Sequence, residues 1–242
     1  KKMNEALKKK QIKSIKYSDE PVNTSELFTI PSNWIWVKLG KLTYSMKNGI
    51  YKSSDNYGAG IPCLRMYNIN QDGKINLDKI KLMKLTDNEK IDYGLEHNDL
   101  LLNRVNSKEL VGKTAIIENK YDELIFESKN IRIRMWSSFV NPIYVNYWLQ
   151  SKWIRNNIEK NCKQTCGMAT INQPFIAELP IPLPSYEEQN EIIKKIINLQ
   201  KSTNTVKKTL SEIIHSINNI RSTYPKIQNS ILDSAFSGKL IQ

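Results

Sequence analysis

"ELPIPLPSYEEQNEIIKKIINLQ", residues 178–200, changes character at its centre. Pro180, Pro182 and Pro184 alternate with apolar residues, and each proline fixes φ and removes a backbone donor, which excludes a helix from the first half. Ser185 then stands as an N-cap, and Glu188 three residues later completes a capping box. A charged, isoleucine-rich run follows without a glycine. The stretch marks a junction between a strand-rich body and a long helix.

Counting four and three alternately from Ile192 reaches Ile196, Leu199, Thr203, Val206, Leu210, Ile213, Ile217, Ile220, Tyr224, Ile227 and Ile231. All but Thr203 and Tyr224 are aliphatic. So narrow and regular a stripe is a coiled-coil seam, not the wider face of a helix lying on its own domain. Such a helix would run roughly 65–70 Å at about 1.5 Å per residue. Pro225 is expected to kink or interrupt it near its end.

Upstream, residues 1–16 read as the polar end of another helix, with Met3, Leu7 and Ile15 as its apolar stripe, and a polar linker runs to residue 30. From "IPSNWIWVKLG" onward, short β-branched and aromatic runs alternate with turn residues: "GIPCLRMYNI", "KINLDKIKLM", "DLLLNRV", "KTAIIE" and "IRIRMW". One helix interrupts them at "NPIYVNYWLQSKWIRNNIEKN", with Asn141 as N-cap and Pro142 as its first residue. The expected fold class is α+β: a mixed, largely antiparallel curved-sheet domain over 31–185, then a long coiled-coil-type helix over 186–242.

The net charge of +12 is the first functional clue, because the excess is spread along the chain and phosphate is its natural partner. The 40% apolar content suffices for a packed core. No apolar run of about 18 residues and no signal-peptide pattern occurs, which leads us to expect a cytoplasmic protein without a membrane partner. Three cysteines, Cys63, Cys162 and Cys166, are too few and too poorly spaced for a disulfide framework or a zinc site.

Catalytic motifs are thin. "NPIY" (141–144) resembles the Asn-Pro-Pro-Tyr of adenine-N6 methyltransferases, but a helix start explains it as well and no glycine-rich cofactor loop accompanies it. Glu127 and Lys129 could form the Glu-x-Lys half of a nuclease site, without a clear preceding aspartate. No catalytic residues and no metal ligands are therefore assigned.

A binding repertoire remains, in five polar clusters. Residues 49–60 carry Lys52, Ser53, Asn56 and Tyr57; "RMYNIN" carries Arg65 and Asn68; "NRVNSKELVGK" carries Asn103, Arg104, Asn106 and Ser107. "SKNIRIR" places Arg132 and Arg134 on one strand face, and "KQTCGMATINQ" holds Lys163, Gln164, Thr165 and Asn172. Lysines neutralise phosphates, whereas Asn, Gln and Arg can pair with base edges.

The order of these segments resembles the specificity (S) subunit of type I restriction-modification enzymes. The likeness rests on "IPSNWIWVKLG", "GIPCLRMYNI", "HNDLLLNRVNSKELVGK", "ATINQPFIAELPIPLPSYEEQNEII" and the closing "IQNSILDSAFSGKL". It implies a non-catalytic reader of double-stranded DNA, with 31–185 as a target recognition domain and 186–242 as a conserved spacer helix. It also implies methyltransferase (modification) and restriction subunits as partners. S-adenosylmethionine, ATP and magnesium would belong to those partners, with no cofactor in this chain. Family members carry two recognition domains and two antiparallel helices, whereas this sequence has one of each. A homodimer, or pairing with another recognition half, is therefore expected. The seam is then the helix–helix interface, formed by Ile192, Ile196, Leu199, Val206, Leu210, Ile213, Ile217, Ile220, Ile227 and Ile231. The competing readings are a divergent DNA methyltransferase or nuclease, and a coiled-coil adaptor with no nucleic-acid role.

Overall fold

The computed structural model describes residues 15–165 and 167–236, with side chains through residue 230. The helix expected at 1–16 lies almost wholly outside the described residues, as does Cys166. Strand β1 (Ile35–Lys38) leads into a helical turn, α1 (Leu39–Leu42), and β2 (Thr43–Asn48). There follow β3 (Tyr57–Leu64), β4 (Lys81–Met83), α2 (Asp87–Tyr93), β5 (Leu100–Asn103), β6 (Val105–Asn106) and β7 (Thr114–Ile116). Next come β8 (Ile125–Phe126), β9 (Asn130–Met135), α3 (Pro142–Leu149) and α4 (Lys152–Asn161). The chain continues through β10 (Lys163–Thr165), β11 (Met168–Thr170), α5 (Gln173–Glu178), β12 (Pro180–Leu183) and α6 (Tyr186–Phe236).

The central sheet has the order β2-β9-β5-β7 and is antiparallel throughout. β5 reads "LLLN" because it is covered on both faces, and all four of its residues are buried. Leu101 joins Leu64, Ile69, Ala115, Ile117, Leu124 and Phe126 in the main core. A second sheet, β4-β3-β8, contains a parallel pair, β3 with β8. β3 bulges where Tyr57 and Ile61 both oppose Met83. The bulge needs glycine: Gly60 has φ +103°, and a Cβ there would meet the Met83 carbonyl oxygen at 2.3 Å.

The proline stretch pairs as β12 with β1, Ile35 opposite Leu183 and Lys38 opposite Pro180. In a two-stranded ladder the missing proline donors cost little. The spare proline carbonyls are used by side chains: Trp148 Nε1 donates to Pro180 O at 2.8 Å and Tyr144 Oη to Pro182 O at 2.6 Å. The capping box is present, since Glu188 N donates to Ser185 Oγ at 3.2 Å and Ser185 N to a Glu188 carboxylate oxygen at 3.4 Å. Gln189 is fully buried, donating to the carbonyls of Phe139 and Pro184 and accepting from Asn141 N. The opening turns of α6 thus belong to the folded body.

Several expectations need correction. The single helix over 141–161 is two, because Ser151 caps a new start by accepting from Ile154 N. Helix α2, with its Thr86–Glu89 capping box, and α5, capped by Asn172, went unread between the apolar runs. The segment expected as a polar linker is tied to the body in part, with Lys38 Nζ reaching Ser18 O at 3.0 Å and Glu178 at 2.8 Å. Pro225 lies inside α6 without ending it.

The chain divides into two compact units, up to Glu191 and from Ile192. Helix α6 has 51 residues, about 75 Å at about 1.5 Å per residue. Its seam residues Leu199, Val206, Leu210, Ile213, Ile217, Ile220 and Ile227 are each 50–68% exposed. Ile231 carries no described side chain.

Asn141 caps α3 by accepting from Ile143 N at 2.9 Å, and its amide donates to Asn190 Oδ1 at 2.9 Å. Asn141→Ala should therefore lower the stability of the body by about 1–2 kcal/mol, read from a urea midpoint. An unchanged midpoint would remove the capping role.

Candidate nucleic-acid interface

Four segments converge on residues 127–130, "ESKN". Gly49 N donates to Asn130 O and Ser128 N to Ile50 O, which fixes the root of the 49–57 loop. No side chain fits at Gly49, where a Cβ would lie 2.1 Å from the Glu127 carbonyl oxygen. The Arg65 turn arrives by Glu127 N donating to Leu64 O and by Arg65 Nε donating to Glu127 Oε2 at 2.8 Å. Arg104 N donates to Lys129 O at 2.8 Å, and Arg104 Nη1 to Ser128 O at 3.2 Å. Finally, β6 carries the β10–β11 hairpin, with Val105 opposite Thr170 and Thr170 opposite Lys163.

Beneath this junction lies an amide network. Asn106 Nδ2 donates to Asn103 Oδ1 at 2.7 Å, Asn103 Nδ2 to Asn130 Oδ1 at 3.1 Å, and Asn130 Nδ2 to Leu64 O at 3.1 Å. Asn103 and Asn130 are fully buried and Asn106 nearly so. Two of the expected base readers, Asn103 and Asn106, are therefore taken up as supports. Asn68 is also fully buried, accepting from Arg65 N and donating to Asn76 O. The sequence could not separate them from readers, because an asparagine that builds a turn looks like one that reads a base.

The other candidates divide by exposure. Ser53, Lys163, Gln164, Thr165 and Asn172 are exposed, and Lys52, Asn56, Tyr57, Arg65, Arg104 and Ser107 are half-buried. Asn172 spends its side-chain oxygen on capping α5 through Phe175 N. Asn56 Nδ2 donates to Ser53 Oγ at 3.1 Å, which shapes the loop. Arg132 and Arg134 turn inward: Arg134 makes a two-pronged contact with Asp99, at 2.7 and 3.0 Å, and Arg132 donates to Gly94 O. Burial, the largest single influence, disfavours the Arg134 charge, but the Asp99 hydrogen bond and the charges of Asp99 and Glu96 together raise its pKa.

A cavity of about 420 Å³ opens beside the junction, lined by Lys52, Tyr57, Arg65, Lys81, Lys129 and the exposed Tyr51, among others. Lys81 and Tyr51 were missed in the sequence; Lys81 arrives only by pairing opposite Cys63. Lys52 is held by Glu89 at 2.7 Å, and this bond with those from Thr86 keeps the Glu89 carboxyl below its ordinary pKa. Arg65 sits against the Tyr57 and Tyr67 rings, 5.7 and 5.1 Å from their centroids. Burial pushes the neighbouring Cys63 thiol up to about 12, with Glu127 adding to the shift. Cys63 is thus an inert core group. Glu127 is 6% exposed and committed to Arg65, and no metal-binding cluster occurs among the described residues.

The chain belongs to the type I restriction modification DNA specificity domain family, whose profile matches residues 31–216. Among curated relatives it is 26% identical over 214 residues to the EcoKI specificity subunit of Escherichia coli K12, covering 87% of this chain and 44% of that protein. It is 28% identical over 208 residues to the StySPI specificity subunit of Salmonella potsdam, covering 86% and 43% respectively. The chain spans about half the length of these relatives. The HsdS subunit from Thermoanaerobacter tengcongensis shares the fold at a TM-score of 0.58 and 19% identity, over 90% of this chain and 48% of that one. The mixed α+β architecture of this chain is thus similar to that of a solved HsdS subunit. No helix among the described residues is long and apolar enough to cross a membrane.

Asn103→Ala would strand the Asn106 and Asn130 amides in the interior, so it should cost about 3 kcal/mol or more in urea unfolding. Lys163→Ala, on the exposed hairpin, should stay within about 0.5 kcal/mol. Equal effects would contradict the division into supports and surface groups.

Proposed function

We propose that residues 31–185 read one half-site of a double-stranded DNA sequence without catalysing any step. What supports this reading most is the convergence on residues 127–130, which gathers four of the five polar clusters around one junction of a domain in the DNA specificity family. Lys129 and Lys163 have no ion pair among the described residues, and Lys52 exchanges Glu89 for phosphate at the cost of a partly exposed pair. Arg65 and Arg104, together with Ser53, Asn56, Tyr57, Ser107, Gln164 and Thr165, supply the groups for base edges and sugar–phosphate.

In this reading α6 is a ruler. Its seam pairs with a second helix of the same kind, in an antiparallel homodimer or with another recognition half, and the helix length sets the spacing of two half-sites. The body recruits methyltransferase and restriction subunits, which hold S-adenosylmethionine, ATP and magnesium, within the cytoplasm.

Filter binding across a salt series tests the DNA reading. Lys163→Ala should weaken binding to all sequences and flatten the salt slope by about one unit. Gln164→Ala should instead relax preference at one position, by about 1–3 kcal/mol. Affinity unmoved when residues 52–57, 104–107 and 163–165 are neutralised together would place the interface elsewhere. For the ruler, the unmodified chain should sediment as a dimer at tens of micromolar, because each seam side chain gains about 1.5–3 kcal/mol on burial. Joint replacement Ile213→Asp and Ile217→Asp should give folded monomers. A monomeric unmodified chain would refute self-pairing.

A further inference from the structure

Several buried or half-buried cations in this domain have an acid in contact: Lys38 has Glu178, Arg65 has Glu127 and Arg134 has Asp99. Arg132 instead donates to the Gly94 carbonyl, and a second site also departs from the pattern. A cavity of about 220 Å³ is lined by Lys113, Thr114 and Arg155 together with Gln71, Gln150 and Gly112. Lys113 is only 9% exposed, and its ammonium makes a 3.2 Å bond to the Met66 carbonyl. Arg155 is pinned by donating to Val111 O at 2.6 Å and Glu109 O at 2.9 Å. Burial and the adjacent Arg155 both push the Lys113 pKa down, with no carboxylate acting against them.

Two neighbouring cations partly withdrawn from water are costly, and while the charge of Glu159 acts on Arg155, no carboxylate acts on Lys113. Glu109, on the cavity wall, has its side chain held by its own backbone N–H and the Ser107 hydroxyl. The Thr114 residue is 1% exposed, and its hydroxyl has no hydrogen-bond partner. A buried hydroxyl without a partner is uncommon among polar groups of protein interiors. Gln71 and Gln150 also line the cavity, and their side chains carry amides capable of donating.

We propose that this cavity binds a phosphate group, its charge met by Lys113 and Arg155 and one oxygen accepting from the Thr114 hydroxyl. Phosphate suits the set because several convergent donors face an anion with several acceptor oxygens. The group is either inorganic phosphate or a backbone phosphodiester of nucleic acid. The site stands independently of the DNA reading above, since it needs only the anion.

The test is amide NMR of the whole chain titrated with inorganic phosphate, against potassium chloride at matched ionic strength. Saturable shifts are expected at Gly112, Lys113 and Thr114. Lys113→Met should raise the phosphate Kd about tenfold or more, the scale of a lost charge-assisted hydrogen bond. Thr114→Val should raise it severalfold without lowering the melting temperature, because the hydroxyl it removes bonds nothing in the chain. A random-sequence duplex that displaces phosphate identifies the backbone as the source, and one that leaves it bound identifies a free anion. Shifts that do not saturate, that chloride reproduces, or whose Kd is the same in both variants would overturn the site.

Discussion

The buried hydrogen bonds among Asn103, Asn106 and Asn130 are the constraint on which the surface above them depends. An amide in the interior must be matched at both its donors and its acceptor, or it costs more than it contributes. Meeting that demand holds β5, β6 and the start of β9 in one register and ties Asn130 to the Leu64 carbonyl of β3. The backbone of 127–130 is then fixed, and the loops hung from it inherit its position. A packed apolar contact could fill the same space without specifying that register.

Charge is sorted by the same framework. Arg132 and Arg134 face inward toward Gly94 and Asp99, where they tie β9 to the end of α2 and to the turn before β5 and present little to solvent. Glu127 fixes one edge of the Arg65 guanidinium, and the Tyr67 hydroxyl accepts from Nη1 at 3.2 Å. The Lys163–Thr165 strand is exposed, and the half-buried Lys129 lines the cavity without an ion pair among the described residues. An overall charge of +12 therefore comes from a smaller set of groups available to a phosphate backbone than the composition suggests.

The architecture was legible where one physical rule dominates. Three alternating prolines excluded a helix where β12 forms, Ser185 and Glu188 started α6, Asn141 started α3, and the four-three stripe appeared as an exposed seam. Short elements escaped, since α2 and α5 are too brief to show a period and declare themselves only by their caps. The break between α3 and α4 turned on Ser151, a residue equally at home inside a helix. Polar site residues were the hardest to sort. Asn103 and Asn106 differ from Asn56 only in what covers them, and coverage comes from partners far along the chain. Lys81 and Lys129 reach the same cavity through pairing that no local pattern encodes.

The central claim is that the junction at 127–130 presents its surrounding side chains to DNA. It is tested most directly by placing a photo-activated cross-linker singly at Lys129, at Gln164 and at the exposed Phe139, then irradiating each protein with its duplex. The account predicts cross-links to DNA from positions 129 and 164 and none from position 139. Cross-linking from 139 alone, with 129 and 164 silent, would contradict it.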